Sequence, residues 1–260
     1  MTSRFIEALV GSDRPVVMEV KLRASDGSEL LGGRTVAQTV AAYETAGAPC
    51  LSVVTGRWFG GTEELLAEVA GLTALPILRK DFVTSETGLA RSRDLGASAV
   101  LLTSALLARS TLGRLVDQAL GLGLTPFVEV VSEEEALHVP RAGECVVAVN
   151  NKDIRAREQG AAELERSRNL LAAVRRGGTP CPVSASGLER PSDAAEMLER
   201  GYAGLLVGTG LLRRATPRDW CQEFDRLRTA TCPAAPPPRP RRQAPRTGLS
   251  STRRDPGSYP

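Results

Sequence analysis

Eight short apolar runs, each followed by a stretch of helical period, are the strongest constraint on what this chain can fold into. The runs are PVVMEVK (15–21), PCLSVVT (49–55), PILRK (76–80), SAVLLT (98–103), TPFVEV (125–130), CVVAVN (145–150), CPVSAS (181–186) and GLLVGT (204–209). Most lack the polar/apolar alternation of a half-exposed strand, so they suit strands covered on both faces of a parallel sheet. The stretches that follow them are TVAQTVAAYETAG, TEELLAEVAGL, ETGLARSRDLG, STLGRLVDQALGLG, SEEEALHV, AAELERSRNLLAAVRR, RPSDAAEMLERG and PRDWCQEFDRLRTA. Several close with Gly just past the helix, and others open with Ser or Thr before acids, the ordinary caps at either end. Eight strand–helix units over roughly 215 residues match a (β/α)8 TIM barrel. A doubly wound open sheet is the alternative, though no GxGxxG opens the first unit. The expectation is one α/β domain over residues 1–231.

Composition narrows the chemistry. With 42% hydrophobic residues and no apolar stretch long enough to span a bilayer, the 260-residue chain reads as a soluble protein with a sizeable core. No secretory signal is legible at the N-terminus, and the five cysteines show no metal spacing, so reduced thiols in a cytoplasmic protein are expected. The one histidine, His138, is expected near a helix end facing solvent, which leaves no basis for a multi-histidine metal site. The segment 232–260 contains six Arg, one Asp and eight Pro and is expected to be a disordered tail. That tail carries +5 and the whole chain +3, so residues 1–231 carry −2 and no nucleic-acid-binding charge is expected of the body.

Of the 33 Lys and Arg residues only three are lysine: Lys21, Lys80 and Lys152. Each stands at or just past the end of a predicted strand, in MEVK, ILRK and VNNK, where a barrel carries its chemistry. Arginine remains charged, whereas a desolvated lysine can give up its proton and work as an acid or base. Glu19 lies two residues before Lys21 and so shares its face, toward the barrel mouth, while Glu129 interrupts the apolar strand PFVEV. Asn150 and Asn151 close the sixth strand with amide donors. Gly187, Gly208 and Thr209 follow strands seven and eight, a common place for a backbone phosphate cradle.

These residues carry a family resemblance. MEVK resembles AEIK of indole-3-glycerol-phosphate synthases, CLSVVTGRWFGGT their CLSVLTD…FFxGS, and PILRKDF their LPVLRKDF. FVEV, VNNKDI, SASGL and LLVGTGLLR likewise resemble LVEV, INNRDL, SESGI and LVGESLMR, so that the match runs from about Ser3 to Arg228. The resemblance implies a cofactor-free lyase that converts 1-(2-carboxyphenylamino)-1-deoxyribulose 5-phosphate to indole-3-glycerol phosphate, CO2 and water. It implies that Lys80 is the general acid of ring closure and that Glu129 transfers protons in dehydration. Lys21 and Glu19 would contact the anthranilate end, and Asn150 would orient the substrate. Phe59 and Phe82 would pack its ring, Lys152, Ser184 and Ser186 would contact it, and Gly187, Gly208 and Thr209 would hold the phosphate. No metal is implied, and the assembly expected is a monomer or homodimer.

Three departures qualify the match. Ala185 stands where the family has the glutamate of SES, Lys152 stands where it has the arginine of INNR, and RASDGS replaces Ser-Pro after the first strand. Glu189 is one candidate to supply the missing carboxylate. Most of the family's N-terminal helical extension is not expected. The altered wall also suits a related phosphosugar barrel isomerase, and the Arg/Pro tail would suit a non-catalytic paralogue that binds a partner.

Overall fold

The structure, a computed structural model, describes residues 3–152, 163–214 and 216–231. The expected tail, residues 232–260, lies outside the described residues.

In chain order the elements are α1 (Arg4–Val10), β1 (Val16–Val20), α2 (Val36–Thr45), β2 (Cys50–Val54), α3 (Glu63–Leu72), β3 (Ile77–Lys80), α4 (Glu86–Asp94), β4 (Ala99–Thr103), α5 (Arg109–Gly121), β5 (Thr125–Val130), α6 (Glu133–Leu137), β6 (Val146–Asn150), α7 (Leu164–Arg176), β7 (Cys181–Ala185), α8 (Pro191–Arg200), β8 (Gly204–Val207), α9 (Thr209–Leu212) and α10 (Pro217–Thr231). The eight strands are parallel and close on themselves in sequence order, β8 pairing with β1. Every strand residue is buried, which is why the runs read as continuous apolar stretches rather than alternating ones.

Alternation persists, but between two apolar environments. Val17, Cys50, Leu78, Leu101, Phe127, Ala148, Val183, Ala185 and Leu206 fill the barrel interior. Their strand neighbours, such as Val16, Leu51, Val100 and Val147, pack against the ring of helices. The same inner face therefore carries Glu19, Lys80, Thr103, Glu129 and Asn150 at the C-terminal end, each two residues on from an inward apolar residue.

Besides the four-residue α9, the unanticipated element is α1. Ser3 caps it by accepting the Ile6 amide, and its Phe5, Ile6 and Leu9 are buried inside the barrel cluster. Phe5 meets Phe127 edge to face at 6.2 Å, and Leu9 lies so close to β8 that a Cβ on Gly204 would sit 2.8 Å from it. This helix stoppers the end of the barrel opposite the strand C-termini. The sequence shows it only as RFIEALV, too short a stretch to announce a helix by its periodicity.

Candidate active site

Glu19 is the hub of the strand C-terminal face. Its Oε1 lies 3.4 Å from Lys21 Nζ and its Oε2 3.7 Å from Lys80 Nζ. All three side chains are nearly sequestered, Glu19 at 3%, Lys21 at 5% and Lys80 at 7% exposure, and Glu129 at 2%. Charges held this deep need partners, and here two ammoniums share one carboxylate. The Lys21 ammonium also stands over the Phe59 ring, 5.1 Å from its centroid.

Two cavities open at this face, and Lys80 lines both. One is bounded by Glu19, Lys21, Lys80 and Lys152 and by the turns that bear Ser186, Gly187, Gly208 and Thr209. Ser186 and Gly187 both have left-handed backbones, at φ 68° and 75°, a sharp turn that a non-glycine residue rarely enters. Beyond it, the Leu211 and Leu212 amides bond the Gly208 carbonyl, which leaves the Thr209 and Gly210 amides at the start of α9 to face an anion. The second cavity is bounded by Val54, Phe59, Lys80, Phe82, Leu101 and Glu129. One half of the site is cationic and rich in backbone amides, the other aromatic.

The loops are held from outside. Arg79, pointing away from the barrel beside Lys80, bonds Glu63 and Asp81, while Asp81 Oδ1 accepts the Phe82 amide. Phe82 remains 39% exposed and meets Trp58 edge to face. Asn150 is wholly buried on the inner face; its Oδ1 accepts the Lys152 amide, while its Nδ2 has no hydrogen-bond partner among the described residues. Asn151 faces outward, where its Nδ2 bonds Ser184 Oγ and the carbonyls of Ala185 and Ser186. Trp220 of α10 donates from Nε1 to the Glu189 carbonyl, so the last helix steadies the turn after β7.

One expected residue is not brought to the site. Ser184 lies on the outer face of β7, with its hydroxyl 2.7 Å from Ser167 Oγ on α7 and within reach of Asn151. Strand alternation turns it away and turns Ala185 inward instead. Ser184 thus ties the strand to the helix. Ala185 presents only a methyl group to the interior, and the exposed Glu189 lines the rim of the cationic cavity. His138 is exposed at the end of α6, as expected, with Nδ1 2.7 Å from the Glu134 carbonyl oxygen. Among the described residues no cluster of three or more His, Cys, Asp or Glu side chains is placed to hold a metal ion, and no helix is long and apolar enough to cross a membrane.

A closed parallel barrel with charged groups gathered at its strand C-termini defines a (β/α)8-barrel enzyme. The chain belongs to the indole-3-glycerol phosphate synthase family, whose family model matches residues 2–224. It is 32% identical over 211 residues to the indole-3-glycerol phosphate synthase of Pyrococcus furiosus, covering 81% of this chain and 91% of that protein. The proteins of the same name from Listeria monocytogenes and Aquifex aeolicus are 34% and 30% identical, over 78% and 82% of this chain and the same shares of their own.

Proposed function

We propose that this chain closes the indole ring of indole-3-glycerol phosphate, releasing CO2 and water from 1-(2-carboxyphenylamino)-1-deoxyribulose 5-phosphate. The observation that carries the reading is the position of Lys80, the lysine that lines both the amide-rich cationic cavity and the aromatic one. A substrate with a phosphate at one end and an aryl ring at the other would place its ribulose carbonyl between them.

In this arrangement the phosphate sits on the turns of Gly187, Gly208 and Thr209, with Ser186 and Lys152 beside it. The aryl ring packs between Phe59 and Phe82. As the ring carbon bearing the carboxylate attacks the carbonyl, Lys80 donates a proton to the carbonyl oxygen. CO2 then leaves, its bonding electrons return to the ring, and Glu129 transfers the proton that accompanies loss of the hydroxyl as water. Lys21 and Glu19 hold the field around the reacting centre, since Glu19 contacts both ammoniums. Asn150 offers its buried amide to a substrate oxygen.

The test is direct. The purified chain mixed with the anilino-deoxyribulose phosphate should develop indole fluorescence, and the gene should restore growth to a tryptophan auxotroph. No product from the unsubstituted compound or from any ring-substituted analogue rejects the reading.

A further inference from the structure

The cavity bounded by Phe59 and Phe82 is apolar over Val54, Leu101 and the two rings, carries Lys80, Asp81 and Glu129 on its rim, and has a buried hydroxyl beside it. Thr103 closes β4 two residues beyond Leu101, which lines that cavity, and shares its inward face. Its register partner on β5 is Glu129, which lines the cavity too. Thr103 is 5% exposed, yet its Oγ1 has no hydrogen-bond partner among the described residues. A buried hydroxyl left unmatched is costly; Val54, Phe59, Phe82 and Leu101 have no side-chain group that could match it, and Glu129 opposite it does not bond it in the structure.

We propose that Thr103 sets specificity for a substrate whose aryl ring carries a hydroxyl or amino group on the β4 side of the cavity. This rests on the ring-closure reading and names the substrate class within it. Ring closure uses the carboxylated carbon and leaves the remaining ring carbons as spectators, so a polar substituent there changes binding without changing the bonds made or broken. The threonine hydroxyl both donates and accepts, and so pairs with either substituent. A site built around such a bond disfavours the analogue that lacks it, because its own hydroxyl then stays unpaired.

The experiment compares kcat/KM of the full chain on the unsubstituted anilino-deoxyribulose phosphate and on isomers bearing a hydroxyl or an amino group at each free ring carbon. One isomer should exceed the unsubstituted compound by about tenfold or more, the ordinary worth of one buried hydrogen bond. Thr103→Val should erase that advantage, and Thr103→Ser should keep it. If every isomer lags the parent compound, or if the preference survives Thr103→Val, the proposal is overturned and ring closure stands. Turnover of none of the compounds overturns ring closure and this proposal with it. Where Thr103→Val fails to fold, Thr103→Ala takes its place, and a wild type for which every isomer lags the parent compound overturns the proposal without any variant.

Discussion

A Cβ at position 208 would collide with Glu19 Oε1, so glycine there is a condition for the carboxylate to reach Lys21 and Lys80. Gly208→Ala should displace the carboxylate and lower kcat by roughly tenfold to a hundredfold, since an ångström of misplacement costs about that much. Steady-state rates on folded variant protein check this. The cysteines behave otherwise: burial pushes the thiols of Cys145 and Cys181 up to about 12 and that of Cys221 to about 11, with Cys50 higher still. A thiolate-seeking reagent near pH 8 should therefore leave these four unmodified in the native protein and label them after denaturation. At this scale the sequence was most informative about charge: scarce lysines and an acid inside an apolar strand marked Lys21, Lys80 and Glu129 without coordinates. It could not mark Thr103 or the backbone turn at Ser186, because an unsatisfied hydroxyl and a left-handed φ exist only once neighbouring strands are placed. The outward orientation of Ser184 was illegible for a related reason, since a motif does not say which of its residues faces inward.

Helix α1 acts on the stability of the barrel rather than on its chemistry. Phe5→Ala should cost about 3–5 kcal/mol of unfolding free energy, because Phe5 is fully buried against Phe127; denaturant titration measures it. Between α7 and α8, Arg168 bonds both Glu165 and Glu196, and Arg200 adds a second contact to Glu196. The Arg168 hydrogen bond, assisted by Arg200, holds the Glu196 carboxyl down to about 2 against an ordinary 4.5. A carboxyl lowered on folding adds stability above its unfolded value and loses it as the pH falls toward the folded one. Glu196→Gln should accordingly lower the melting temperature at pH 7, by an amount worth about 1 kcal/mol or less for so exposed a cluster. The gap from wild type should close between pH 4.5 and 2. All eight helix–strand units were legible, because caps and apolar period mark long segments well. The seven-residue plug was not, since its stability comes from packing inside the barrel rather than from its own pattern.

Across the whole molecule, the closed topology is what turns separated residues into one site. Residues 19, 21, 80, 129, 150 and 187 come from five strand–loop units, and only barrel closure sets the cationic turns beside the aromatic pocket. The architecture followed from the beat of the sequence, and the site's chemistry from residue types at the strand ends. The division into two cavities meeting at Lys80 followed from neither, because it depends on which way loops bend. The claim tested most directly is that Lys80 works by giving up a proton rather than by carrying charge. Turnover of the anilino-deoxyribulose phosphate by wild type and by Lys80→Arg decides it. The account predicts product from wild type and a kcat lower by about a hundredfold or more in Lys80→Arg, the usual weight of a general acid. Equal turnover by the two proteins, or none by wild type, contradicts it.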